Sequence, residues 1–198
     1  MKLSLRAGAI AALACIVCAG FAPRQAAADG DDTPLTNIVA LASQRLELAE
    51  PVARWKWANH KPITDAPREA ALLADVEKSA SAAGVDPAFA RAFFQDQIDA
   101  SKQVQNALFD AWQKTRPPEG APPDLATSTR PQLDRITQSM IAGLARVQGM
   151  RDAPDCPSRV ARSIANWKAL TRYGATGSSA LATALGHVCS TGGVGAVG

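Results

Sequence analysis

Arg45 and Lys56 stand eleven residues apart in the stretch LASQRLELAEPVARWKW, residues 41–57. Read as a helix advancing about 100° per residue, Ile38, Leu41, Ala42, Leu48, Ala49 and Val52 fall within about 60° of Arg45, and Lys56 returns to the same stripe three turns on. The opposite face carries Ser43, Glu47, Glu50 and Arg54, as a solvated face should. Two cations, roughly 16 Å apart, are therefore aimed at the core. A second stretch, FFQDQIDASKQVQ at 93–105, behaves in the same way. Ala90, Phe94, Ile98, Val104, Leu108 and Trp112 share a face with Ser101, and so do Gln97 and Gln105. Ser101 and Gln105 are one turn apart and hence neighbours. Buried polar groups are costly unless paired, and charges more so. Arg45 and Lys56 are both cations, Ser101 and Gln105 are neutral, and neither stripe offers a carboxylate. A small anionic ligand held between the two helices would complete the balance.

Each residue alone has a plainer account. An arginine on an apolar stripe can snorkel or cap a core acid. Gln97 reads as a satisfied structural group in the core. Arg68 falls in the first turn of a helix, where the macrodipole disfavours a cation; a surface pair with Asp65 would explain it. It is the combination that points to a site.

The elements that must position these residues read as helical throughout. Alanine is abundant, and no segment has a strand period. The first helix spans about 35–59, with Pro51 as a possible kink. Thr64 or Asp65 caps a second helix that ends at Gly84. Asp86-Pro87 opens a third, to about Lys114. A proline-rich connector, RPPEGAPPD at 116–124, leads to three shorter helices near 130–149, 156–172 and 177–189. The tail STGGVGAVG is expected to be loose. The expectation is an all-α bundle of about six helices: three long N-terminal helices over 35–115, a connector over 116–129 and a shorter C-terminal helical half over 130–190.

Residues 1–28 read as a signal peptide. Lys2 and Arg6 precede an apolar run from Ala7 to Ala22, and Ala26-Ala27-Ala28 offers a cleavage site. Residues 29–198 then form a single domain, periplasmic or secreted. Without Lys2, Arg6 and Arg24, the 21 Lys and Arg of the chain fall to the same number as its 18 acids. That neutrality argues against a nucleic-acid partner or a polybasic membrane surface, so no membrane association is expected once the signal is removed. Cleavage would also remove Cys15 and Cys18. Cys156 and Cys189 remain, and in an oxidising compartment they are expected to form a disulfide, with two buried thiols as the alternative. His60 and His187 are the only histidines. No metal site and no Ser-His-Asp triad is expected from so few.

The spacing resembles that of the all-helical chorismate mutases. Lys56 follows Arg45 by eleven residues, Asp65 follows by nine, Arg68 by three, Ser101 by 33 and Gln105 by four. RLELAEPVARWKW and FFQDQIDASKQVQ, together with Cys156 and Cys189, resemble the secreted subclass over nearly all of 35–190. The resemblance implies rearrangement of chorismate to prephenate, without cofactor, in a homodimer. It implies that Lys56 and Gln105 donate to the ether oxygen. Arg45 and Ser101 would hold carboxylates, Arg68 would help to hold the substrate and its ring hydroxyl, and Glu69, beside Asp65, would accept that hydroxyl. Arg130, from the C-terminal half, would replace an arginine that short members take from a partner chain. Some secreted members carry glutamine where this chain has Leu72. Two alternatives stand beside this reading: an isochorismate pyruvate-lyase, and a secreted non-catalytic helical protein that binds a dicarboxylate.

Overall fold

The computed structural model describes residues 31–171 and 174–191. The expected signal segment and most of the glycine-rich tail lie outside these residues. All the described elements are helical, with no strand among the described residues. None of their helices is long and apolar enough to cross a membrane.

The six expected helical segments are present, but the first is divided. Helix α1 (Thr33–Glu47) ends and α2 (Ala49–Ala58) begins around Leu48. Pro51 is the cause. It has no N–H to offer Glu47, and its ring crowds the carbonyl four residues back. The chain responds with a tightened turn, in which the Leu48 N–H donates to the Arg45 carbonyl at 3.2 Å. Pro51 then sits in the first turn of α2, where its missing donor costs little.

Helix α3 (Ala66–Ala82) has a reciprocal cap. The Asp65 carboxylate accepts the Arg68 N–H at 3.3 Å, and Glu69 Oε1 accepts the Asp65 N–H at 3.1 Å. Asp65, rather than Thr64, is therefore the cap. The helix stops at Gly84, whose φ of +71° suits a residue with no Cβ. The Val85 N–H then donates to the Ala80 carbonyl at 2.9 Å, closing the last turn. Asp86 caps α4 (Pro87–Thr115) by accepting the Ala88 N–H at 2.8 Å. Its 29 residues make a rod about 43 Å long.

The second half contains α5 (Arg130–Val147), α6 (Cys156–Thr171) and α7 (Ala175–Ala184). The end expected at 189 for the last helix is overturned: the chain leaves helix at Leu185 and continues in turns. A wide helical turn, Leu125–Thr129, precedes α5, so the connector is ordered into helix earlier than 130. The Arg54 guanidinium, read as merely solvated, pins this connector through the carbonyls of Glu119 and Gly120 at 3.1 and 3.2 Å.

Helix α1 lies at the centre, in contact with α4, α5, α6 and α7. This explains one overturned assignment. Ser43, placed on the solvated face, is fully buried, because α1 is covered on more than one side. Gly143 of α5 allows close approach here, since a Cβ would come within 3.1 Å of Ile38 Cδ1. Leu35, Ile38, Val39, Phe93, Phe94, Met140 and Leu144 fill the surrounding core. One turn before Ser101 on α4, Gln97 donates to the Ala184 carbonyl, as its structural reading requires. The turn after α7 is held by Asp96, which accepts the His187 backbone N–H at 2.7 Å and lies 2.8 Å from its ring Nδ1.

Cys156 and Cys189 form the expected disulfide, joining the start of α6 to the segment after α7. It closes a loop with a sequence separation of 33 residues. In the chain-entropy picture such a loop is worth about 4 kcal/mol. Reduction, or replacement of both cysteines by alanine, should lower the melting temperature accordingly; identical melting curves with and without reductant would contradict this.

Candidate active site

One cavity, of about 140 Å³, opens between α1–α2, α3, α4 and the start of α5. Arg45, Lys56, Asp65, Arg68, Glu69, Ser101, Gln105 and Arg130 all line it. Every site residue expected from the sequence is therefore brought to one place, from five helices. Leu48, Val52, Ile98, Leu125 and Leu133 supply the apolar part of the wall.

Depth separates the polar residues. Arg45 and Gln105 lie at the bottom, 8% and 4% exposed. Lys56, Glu69, Ser101 and Arg130 are half-buried, whereas Asp65 and Arg68 stand exposed at the mouth. The Arg45 guanidinium donates to Thr137 Oγ1 at 3.4 Å and lies 6.0 Å from the centre of the Phe94 ring. Its Nε has no partner. Burial pushes the Arg45 pKa down to about 10; Asp134 opposes that shift and Arg68 adds to it. Arg45 makes no direct ion pair among the described residues, so its charge is held in place by the fold with only Asp134, farther off, to favour it.

Lys56 donates to the Ile63 carbonyl, which folds the ammonium back under the α2–α3 connection. Burial lowers its pKa below the ordinary lysine value, Asp65 and Glu69 oppose this, and Lys102 and Arg68 reinforce it. Gln105 Nε2 donates to Ser101 Oγ at 3.0 Å, the contact expected one turn apart, and its Oε1 is buried without a partner. Arg130 also has a buried, unpartnered Nε. Asp65 does not pair with the Arg68 side chain in the manner of a surface ion pair; its carboxylate takes the Arg68 backbone N–H. The Arg68 guanidinium is thereby left for the cavity it lines.

The lining holds five cations, Arg45, Lys56, Arg68, Lys102 and Arg130, against two carboxylates, Asp65 and Glu69. It contains no histidine and no cysteine. Such a pocket binds a small polyanion and aims N–H donors at it; it presents no thiolate or imidazole for covalent or proton-transfer chemistry.

Sequence reasoning missed Lys102, Thr129 and Thr137. Lys102 follows Ser101 directly and falls about 60° from Gln105 around the helix, a signal that was present. Thr137 meets Arg45 only because α5 packs on α1, and no local pattern announces that.

The likeness to known proteins agrees with this geometry. Residues 36–106 match the family model described as chorismate mutase type II. The chain is 33% identical over 144 residues to the secreted chorismate mutase of Mycobacterium tuberculosis, covering 71% of this chain and 70% of that protein. It is 33% identical over 158 residues to the secreted chorismate mutase of Mycolicibacterium smegmatis, covering 78% and 85%. The crystal structure of chorismate mutase from Burkholderia thailandensis superposes with a TM-score of 0.78 at 74% identity, covering 79% of this chain and 99% of that one. With most of the cationic pocket built on the helices that carry the family match, the chain belongs to the all-helical chorismate mutases, in their secreted subclass.

Proposed function

We propose that this cavity converts chorismate to prephenate in a single concerted rearrangement. One carbon–oxygen ether bond breaks as one carbon–carbon bond forms within the same molecule, and no proton or external electron pair is exchanged. The observation that carries this reading is the excess positive charge of a partly closed pocket that offers N–H donors but neither thiolate nor imidazole. The substrate is a dianion. Arg45, Ser101, Arg68 and Arg130 hold it in the folded conformer that can react, which removes much of the entropic barrier. Lys56 and Gln105 donate to the ether oxygen, where negative charge grows as the bond breaks. Glu69 accepts the ring hydroxyl, and Asp65 holds the start of α3 in place beside it. Loss of chorismate absorbance with the purified protein, without salicylate fluorescence, is the direct test. Thermal stabilisation by chorismate without turnover would instead identify a binding protein.

The names of the relatives and the disulfide both support an exported protein. We further infer that residues 1–28 are the signal that directs export, and that the working assembly is a homodimer.

Three predictions follow from the charges in the pocket. Arg45 is a buried cation without a carboxylate partner, so its charge opposes folding at every pH below about 10 and is relieved only above it. Arg45→Met should therefore stabilise the fold by about 1–3 kcal/mol while lowering kcat/KM at least about 100-fold. A denaturation midpoint below that of the wild type would refute the assigned cost.

For Lys56, burial favours the neutral amine, so the ammonium is lost below the ordinary value of 10.5. The alkaline limb of kcat/KM should accordingly have its midpoint below 10.5. In kcat it should move upward, because the bound dianion holds the proton on. A single unshifted midpoint in both profiles counts against Lys56 as the donor.

The Gln105 amide donates at any ordinary pH, whereas a carboxylate donates only when protonated. Gln105→Glu should cost about 10²–10³ in kcat at neutral pH and recover activity as pH falls. A flat pH profile in that variant excludes the ether-oxygen role.

A further inference from the structure

Lys102 lines the pocket, yet the mechanism above gives it no part. Its ammonium reaches from α4 to α3, 3.1 Å from Glu69 Oε2, and also lies 3.6 Å from Asp99 Oδ1 on its own helix. The side chain is 23% exposed, so it runs along the wall rather than out into solvent. The other Glu69 oxygen accepts the Asp65 backbone N–H at 3.1 Å. Both oxygens of this carboxylate are thus anchored from different elements, and each keeps a lone pair for a ligand.

Two neighbours make that anchoring matter. Lys56 lies close enough for the Glu69 charge to favour its ammonium. A carboxylate free to turn would pair with Lys56 and occupy the donor that the ether oxygen needs. Leu72, three residues along α3 and also on the wall, has no hydrogen-bonding group. Arg68 can only donate, so accepting the hydrogen of a ring hydroxyl from within α3 falls on Glu69, and its aim must be fixed by something else.

We propose that Lys102 is a positioning residue for substrate recognition: by pairing with Glu69 Oε2 it holds that carboxylate toward the ring hydroxyl of chorismate and away from Lys56. This rests on the chorismate mutase reading and on Glu69 as the hydroxyl acceptor. The role is separable from mere packing. A variant that only loosened α3 against α4 would weaken all substrates alike, whereas loss of aim would erode the preference for the hydroxyl itself.

The test compares kcat/KM for chorismate with that for an analogue carrying hydrogen in place of the ring hydroxyl. Wild type, Lys102→Met, Lys102→Arg and Glu69→Gln are measured, with a melting curve for each to confirm folding. The wild type should prefer chorismate by about 100-fold or more. Lys102→Met should reduce that preference to under about 10-fold, Glu69→Gln should reduce it as well, and Lys102→Arg should restore most of it. An equal preference in wild type and Lys102→Met overturns the inference while leaving the enzyme reading intact. A wild type that consumes both compounds equally well overturns the hydroxyl role of Glu69, and this inference with it. A wild type that leaves chorismate unchanged overturns the parent reading.

Discussion

The structure depends on a cation held largely out of water. Arg45 is held at the floor of a helical cleft by Thr137, the Phe94 ring and the surrounding apolar wall, with no carboxylate in ion-pair contact and only Asp134 favouring its charge from farther off. A desolvated charge of this kind is unfavourable for folding, and core packing elsewhere must offset it. It is favourable for binding, because the unmatched charge attracts an anion more strongly in a dry cleft than it would at a surface. The same asymmetry runs up the wall through Lys56 and Arg130 to the exposed Arg68. Such a site is prepared before its ligand arrives, and little reorganisation remains for the reaction step.

Local chain chemistry sets the shape of that cleft. Pro51 divides what would be one long rod into α1 and α2, and Lys56 still reaches the cavity from the second piece. The Asp65–Glu69 cap starts α3 at the mouth of the pocket, so a helix terminus and a substrate-facing wall are built from the same residues. Glu69 thus takes part in the cap, in an ion pair and in the lining, and substitutions there will couple these roles.

The long helix α4 divides its faces between chemistry and stability. One face carries Ser101, Lys102 and Gln105 into the cavity. Asp96, on another face, holds the C-terminal segment through His187, and Gln97, one turn before Ser101, holds it through the Ala184 carbonyl, near the Cys156–Cys189 bridge. The second half of the chain therefore serves the site twice. It supplies Arg130 and Thr137 directly, and through α7 it braces the back of the helix that presents Gln105.

Much of this was legible in the residues. The helical class and the inward-facing Arg45, Lys56, Ser101 and Gln105 follow from positions around single helices, and periodicity fixes those angles. The cap at Asp86 and the stop at Gly84 follow from residue type, which leaves Thr64 or Asp65 as the cap of α3, and the resemblance to the family marks Asp65, Arg68, Glu69 and Arg130 as site residues. Other features were not legible: the burial of Ser43, the contact between Arg45 and Thr137, the pairing of Lys102 with Glu69, and the hold of Arg54 on the connector. Each of these needs the rotation and offset of one helix against another. A sequence pattern states which face of a helix is apolar but not which neighbour covers it. Most of the polar inventory of the site was thus determined by the amino-acid sequence itself, whereas Thr129, Thr137 and the wiring were decided by tertiary packing, because side-chain pairs between helices form only once the helices have docked.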